Sequence, residues 1–385
     1  MSQKRLFFPN VVISGEGVID KIPYWVNHFG GKKVLISTDE NINKLGFPDV
    51  IKDGLKKENI EAVIWDGIIA NPDLLTVSKG LDILNKNGCD FVIGIGGGSV
   101  MDTAKAIALA AENGSDIYEL PGLYRMMKRG LPKILVPTTS GTGSEATQVS
   151  VLVDERAHTK IAVYSEYNMA EAVILDYKLT YNLPHVITAD TGIDALCHAV
   201  EAFVNKNSSE FTDIIALNAI KQAGKYLVRA YKNGIDDRDA RKGMADASFY
   251  AGVAFCGAGL GAVHGLAYPL IDYNVSHGRS VGVFLPWVME YNLPYAEEKY
   301  ALIAATFDES CKELTQKDAA AKSIEIIKTI LEDLDINYKL SSYGVKESEI
   351  FSMAESAFLS TRRLLEVNPA PLSIENAKEI YKKAF

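Results

Sequence analysis

Cysteine is scarce and scattered. Cys89, Cys197, Cys256 and Cys311 are the four thiols in 385 residues, and no two form a CxxC pair. That spacing excludes a disulfide framework and leaves reduced, buried thiols in a cytosolic protein as the expectation. Positive charge is in deficit. Lys and Arg number 40 against 49 Asp and Glu, a net charge of −9. No global attraction to nucleic acid or to an anionic membrane follows, although a local basic pocket remains compatible. Repeats and low-complexity segments are absent. The opening MSQKRLFFPNVVISGEG is not expected to act as a signal peptide, because Pro9 and Asn10 interrupt its apolar run and no small-residue cleavage site follows. Only one long stretch lacks charge, Ala247 to Ile271. It is long enough to span a bilayer, but Gly252, Gly257, Gly259, Gly261, Gly265 and His264 interrupt it. It reads as the buried centre of a helical domain.

What is present is an ordinary globular composition, 48% hydrophobic and 23% charged, of a length that suits two domains of roughly 100–200 residues each. In the first half, short apolar runs alternate with helical patterns. Lys33–Ser37, Ala62–Trp65, Phe91–Ile95, Lys133–Val136 and Ala172–Leu175 are predicted strands. Asp49–Glu58, Leu74–Asn87 and Val100–Glu112 are predicted helices between them. Such alternation implies a doubly wound, mostly parallel sheet. Beyond about Asn182–Pro184 the period is helical, as over Asp213–Tyr231, Ala301–Phe307, Ala319–Leu334 and Ile374–Ala384. The expected organisation is an α/β domain over 1–185 and an all-α domain over 186–385.

Three motifs fall at predicted strand ends in the first half. Gly94-Ile95-Gly96-Gly97-Gly98-Ser99-Val100-Met101-Asp102 follows a strand and opens a helix. Glycines there allow close approach of a ligand, and the N–H groups at the helix start attract an anion such as a diphosphate. Ser99 takes the place of the last glycine of the usual dinucleotide fingerprint, and glycines in a tight turn also serve structure alone. Pro137-Thr138-Thr139-Ser140-Gly141-Thr142-Gly143-Ser144-Glu145 follows the next strand. Its hydroxyls suit either a ligand cradle at the sheet edge or a helix cap. Asp39 ends the strand KVLIS. A carboxylate there either accepts from ribose hydroxyls and repels a 2′-phosphate, or caps a turn.

The second half concentrates histidine. Asp194 and His198, within Thr191-Gly192-Ile193-Asp194-Ala195-Leu196-Cys197-His198-Ala199-Val200-Glu201, are four apart and share one helix face. His264 and His277 lie in and just after the uncharged stretch. Together they offer three imidazoles and one carboxylate, a set suited to Fe(II) or Zn(II). On spacing alone, a surface ion pair and a satisfied core histidine stay open as alternatives. Four protein ligands close a tetrahedral site, so catalysis needs a fifth position, which Fe(II) accepts more readily than Zn(II). Cys197 points about 100° away from its neighbours on the helix and reads as packing. His28, His158 and His185 read as surface or capping residues.

Taken in order, the Phe8-Pro9 opening, Gly15-Glu16-Gly17, GGGSVMDTAK, PTTSGTGSE, TGIDALCHAVE, GLGAVHGLAYPL, HGRSVGVFLPWVMEYN and Asn368-Pro369 resemble the iron-dependent (group III) alcohol dehydrogenases almost end to end. That family includes lactaldehyde:1,2-propanediol oxidoreductase, 1,3-propanediol dehydrogenase and butanol dehydrogenases. The resemblance implies a dehydroquinate synthase-like architecture, an NAD-binding α/β domain and a helical metal-binding domain, in a homodimer or larger assembly. It assigns the metal ligands to Asp194, His198, His264 and His277. It assigns the diphosphate loop to Gly97, Gly98 and Ser99, and places Asp102 toward the nicotinamide. Thr138, Thr139 and Thr142 line the cofactor site, Leu179 packs near the adenine, and Asp39 favours NAD over NADP. Many members carry a histidine four residues after the third ligand. Tyr268 stands there in this chain, a candidate to relay the proton in its place. Phe255 and Arg279 are the candidate substrate contacts.

The implied reaction is reversible hydride transfer between a primary alcohol, or its aldehyde, and NAD, with Fe(II) or alternatively Zn(II) as Lewis acid. If Arg279 faces the substrate, an aldehyde bearing a sulfonate, phosphonate or carboxylate is the variant reading. Two rivals come from other classes: a lyase of dehydroquinate synthase type, which needs more Lys and Arg than these motifs carry, and a non-catalytic nucleotide-binding module.

Overall fold

The computed structural model describes residues 5–114, 117–126, 128–157 and 159–385. They fall into two compact units. One comprises Phe7–Thr139 and Gly143–Thr180; the other comprises Tyr181–Phe385 with Ser140–Thr142 and the residues around Leu6.

The first unit holds strands β1 (Val11–Gly15), β2 (Lys33–Ser37), β3 (Glu61–Trp65), β4 (Phe91–Gly96), β5 (Gly122–Leu123), β6 (Lys133–Pro137), β7 (Val149–Asp154), β8 (Thr159–Tyr164) and β9 (Ala172–Asp176). Its helices are α1 (Ile22–His28), α2 (Glu40–Lys44), α3 (Phe47–Lys57), α4 (Leu74–Asn87) and α5 (Gly98–Asn113). Six strands form one sheet in the order β1-β9-β6-β4-β2-β3, and every pairing in it is parallel. The central strands are continuous apolar runs because both faces are covered. Val34, Ile36, Phe91, Ile93, Ile134 and Val136 pack on one face with Ile22 and Val26 of α1 and Ile51 and Leu55 of α3. Alternation sends Leu35, Val92 and Leu135, equally buried, to the opposite face. There a side chain on Gly94 would meet Ala104 of α5 at 2.6 Å. The sheet is thus doubly wound.

The five predicted strands are all present. β1 and the separate small sheet of order β5-β8-β7 are not among them. The reason is physical. β1 is an edge strand with half-exposed residues, and β7 and β8 also carry exposed or half-exposed residues. Neither shows the unbroken apolar run of a buried parallel strand.

The second unit contains, among its described residues, α6 (His185–Val204), α7 (Glu210–Asn233), α8 (Arg238–Ala258), α9 (Ala262–Ala267), α10 (His277–Asn292), α11 (Glu297–Phe307), α12 (Gln316–Asp333), α13 (Ile350–Ser360), α14 (Arg362–Glu366) and α15 (Ile374–Ala384). No strand is assigned among these residues. Their apolar faces share one core, which includes Ile193, Leu196, Val200, Ile220, Leu227, Phe284 and Tyr381. α6 is buried on every side from Gly192 to Val204, the signature of a central helix. The long uncharged stretch lies within α8 and the segment Ala262–Tyr273, two helical pieces bent by 101°. Among the described residues no single helix is long and apolar enough to cross a membrane.

Candidate functional site

The four predicted metal ligands come together inside the helical unit. Asp194 and His198 lie one turn apart on α6, so both project from one face. The bend after α8 brings in His264 from α9, and His277 opens α10. Asp194 Oδ1 is 3.6 Å from His198 Nε2, 3.6 Å from His264 Nε2 and 3.7 Å from His277 Nε2. Two ligands held about 2.1 Å from one ion at tetrahedral angles are about 3.4 Å apart, so these spacings suit a shared cation. Asp194, His198 and His264 are buried and by themselves qualify as a metal-binding group. His277 is half-exposed, 48% for its side chain, and forms the open side of the cluster.

Two buried atoms carry the fit. Asp194 Oδ1 and His264 Nε2 have no hydrogen-bond partner. Burying a charged oxygen and a ring nitrogen unpaired is costly, and a cation at their focus satisfies both.

Close helix packing makes this geometry. A side chain on Gly192 would meet Leu227 at 2.1 Å, which lets α7 approach α6. On Gly278 it would lie 1.7 Å from the Asp190 carbonyl oxygen, so α10 starts against the backbone of α6. His198 Nδ1 faces the Gly141 carbonyl at 3.3 Å, which directs Nε2 inward. Gly141 fits because its missing side chain would sit 2.5 Å from Thr191. The hydroxyl-rich motif therefore also orients the His198 ring. Glu201, a turn beyond His198, bonds His264 Nδ1 and several backbone amides. The motif that contains Glu201 gives it no role by sequence alone. Its signal was a charged residue on the Asp194/His198 face of an otherwise apolar helix.

The electrostatics match. Burial alone would raise the Asp194 carboxyl, but His198, His277 and His264 outweigh it and hold it well below the usual range. Burial lowers His198 to about 4 despite Asp194. Burial also opposes charge on His264, but Glu201 and Asp194 override it and raise that imidazole to about 9.

In the first unit, the predicted cofactor residues lie at the carboxyl ends of neighbouring strands. β4 pairs with β2 on one side and β6 on the other. β3 follows β2 outward in one direction and β4 returns on the other side, so the strand order reverses between β2 and β4. Ligands of open α/β sheets bind at such a point. Gly97 caps α5 without a side-chain bond, leaving the amides at the start of a 16-residue helix free for an anion. A side chain on Gly96 would meet Val100 at 2.5 Å, whereas one on Gly97 would meet only Thr139, at 3.5 Å. Gly96 thus serves packing, and Gly97 leaves approach space. The Thr138 hydroxyl is buried without a partner. Asp39 accepts from the amides of Asn41 and Ile42 through Oδ1; Oδ2 appears in neither bond.

Other predicted residues are placed differently. Asp102 bonds Ser144 Oγ at 2.6 Å and the Val151 amide at 2.9 Å, and pairs with buried Lys105, so it ties α5 to the loop after β6. Leu179 is part of the sheet core. Ser99 lies in the first turn of α5, and Thr139 is half-buried. Thr142 packs with the helical unit. Tyr268 is half-buried one turn beyond His264. Phe255 lies against the His198 ring, centroids 4.5 Å apart. Arg279 donates to Asp190 Oδ1 at 3.0 Å and to the Asp335 carbonyl at 3.3 Å, so its guanidinium is engaged by α6 and by the turn after α12. Cys197 is buried packing, as expected. His28 stacks among Tyr24, Trp25 and Phe29, and His185 faces the Tyr231 carbonyl. His158 lies outside the described residues. Glu145, the last residue of the hydroxyl-rich motif, is pushed up to about 7 by burial.

A doubly wound parallel sheet in one unit and a buried carboxylate–histidine cluster in the other define a metal-binding enzyme with a nucleotide-type sheet. Residues 9–177 match the family described as iron-containing alcohol dehydrogenase, and residues 188–385 match its C-terminal counterpart. The chain belongs to the iron-containing alcohol dehydrogenase family, and its reaction is the interconversion of an alcohol and its aldehyde. It is 38% identical to long-chain-alcohol dehydrogenase 1 of Geobacillus thermodenitrificans, covering 100% of this chain and 98% of the relative. It is 35% identical to the 1,3-propanediol dehydrogenase of Citrobacter freundii, over 98% of this chain and 97% of that one. The crystal structure of a 1,3-propanediol oxidoreductase superposes with a TM-score of 0.96 at 35% identity, with both chains covered completely.

Proposed function

We propose that the chain interconverts a primary alcohol and its aldehyde with NAD as the preferred coenzyme, and that Asp194, His198, His264 and His277 hold Fe(II), with Zn(II) as the alternative. The observation that carries this reading is the convergence of three Nε2 atoms on Asp194 Oδ1, at 3.6–3.7 Å. When bound, the cation supplies Lewis acidity toward the substrate oxygen and the nicotinamide accepts or returns the hydride. The chain's own residues orient and exclude. Asp194 stays ionised and offsets part of the cation's charge. Phe255 presents an apolar ring beside His198, which suits an alkyl substituent better than a charged one. The Tyr268 hydroxyl is the proposed proton relay, at the position where many family members carry histidine. The relatives named for long-chain alcohols, 1,3-propanediol and methanol support a primary alcohol as substrate class, over a range of chain lengths. The reading extends to a cytoplasmic homodimer or larger assembly without nucleic-acid or membrane partners, supported by the free thiols, the net charge of −9 and the family.

The test is chelation followed by readdition of Fe(II) or Zn(II), with NADH absorbance followed over a panel of short aldehydes. Activity is expected to vanish with the metal and to return with it. No turnover of any aldehyde by the reloaded protein would overturn the proposal.

Asp39 supports the coenzyme preference and can be tested separately. Asp39→Gly removes the charge that repels a 2′-phosphate. Glycine replaces an N-cap at a cost of only a few tenths of a kcal/mol, so the fold tolerates it. The ratio of kcat/KM for NADP to that for NAD is expected to rise by about 10- to 100-fold. An unchanged ratio would show that Asp39 does not read the ribose.

A further inference from the structure

In its buried stretch from Gly192 to Val204, α6 carries three polar residues on one face, Asp194, His198 and Glu201, and the third lies outside the proposed ligand set. Glu201 is 4% exposed, and both of its oxygens are engaged. Oε1 accepts from the amides of Gly261 at 3.0 Å, Val263 at 2.7 Å and His264 at 3.3 Å. Oε2 accepts from His264 Nδ1. A carboxylate that only capped the start of α9 would need one oxygen. The second goes to the imidazole of the residue whose Nε2 is buried, unpartnered and 3.6 Å from Asp194 Oδ1.

We infer that Glu201 is a positioning residue for the metal site, whose carboxylate keeps a proton on His264 Nδ1 and so leaves Nε2 to the cation. The inference rests on the reading that Asp194, His198, His264 and His277 bind a metal. The physical reason is that a histidine ligand is fixed in tautomer and orientation by what its other nitrogen bonds, and a carboxylate there also makes the ring a stronger donor. His198 has a weaker counterpart, the Gly141 carbonyl at 3.3 Å. His264 is therefore more firmly tied to its support than His198 is. The same carboxylate sets the path of the chain out of the 101° bend, so ring orientation and backbone placement have one source.

Glu201→Gln separates the two roles. The amide oxygen retains the backbone cap, while the amide N–H₂ faces Nδ1. The ring must then accept at Nδ1 and carry its proton on Nε2, where the cation has to bind. The measurement is Zn(II) affinity of chelator-stripped protein, by competition with a chromophoric chelator, with circular dichroism and thermal unfolding of the stripped protein as controls. The dissociation constant is expected to rise about 10- to 100-fold in Glu201→Gln while the fold is retained, and at least as far in Glu201→Ala. A Glu201→Gln protein that folds and binds Zn(II) like the wild type would overturn the inference and leave Glu201 a helix cap. Failure of the wild type itself to bind Zn(II) would instead overturn the metal reading. If the glutamine variant does not fold, proton NMR of the Zn(II)-loaded wild type decides. A far-downfield, slowly exchanging His264 Nδ1–H resonance is expected, and rapid exchange with solvent overturns the inference.

Discussion

His264→Ala is expected to lose metal and activity together. The substitution removes a ligand nitrogen that points at Asp194 Oδ1 from 3.6 Å, and it strips Glu201 Oε2 of its imidazole partner. Two buried carboxylates are then left facing fewer positive groups, an arrangement that costs about 3–5 kcal/mol when one partner of a buried pair is removed. The altered pocket favours protonated carboxyls over a cation. Without the Lewis acid, kcat/KM for aldehyde reduction is expected to fall by about 10³-fold or more. Metal content after dialysis and NADH oxidation are the readouts. Full metal content in the variant would show that His264 is not a ligand.

Gly278→Ala is expected to damage the enzyme from outside the ligand set. The new methyl group would lie 1.7 Å from the Asp190 carbonyl oxygen, 2.6 Å from its carbon and 3.2 Å from Asp194 Cβ. Two of these are backbone atoms, so no rotamer change relieves the overlap. The start of α10 has to move away from α6, and His277 moves with it. A shift of about 1 Å in a positioned group costs about 10²-fold in rate. The other three proposed ligands, Asp194, His198 and His264, remain in place, so kcat is expected to fall further than metal content does. Kinetics measured beside metal content on the same preparation check this. Wild-type turnover would mean that His277 tolerates displacement.

How much of this was legible in the sequence depended on where each signal lay. The central strands announced themselves because burial on both faces demands unbroken apolar runs such as Val34–Ile36 and Phe91–Ile95. β1 did not, because an edge strand with exposed alternate residues resembles a polar segment. Asp194 and His198 stood out through their spacing. His264 and His277, 13 residues apart, were joined to them only by scarcity of histidine and by the family resemblance. The supporting groups were hidden. The Gly141 carbonyl is a backbone atom and leaves no trace in residue type. Gly278 looks like any glycine until the carbonyl it faces is known. Arg279 was ambiguous for the same reason: its partner Asp190 is remote in sequence.

The loop Ser140–Thr142 has one more consequence. It packs with the helical unit although the residues on both sides of it, through Thr139 and from Gly143, belong to the sheet unit. A fragment starting at Tyr181 would keep all four proposed ligands yet lack the carbonyl that faces His198. The polypeptide is interleaved, and no single cut yields two self-sufficient halves.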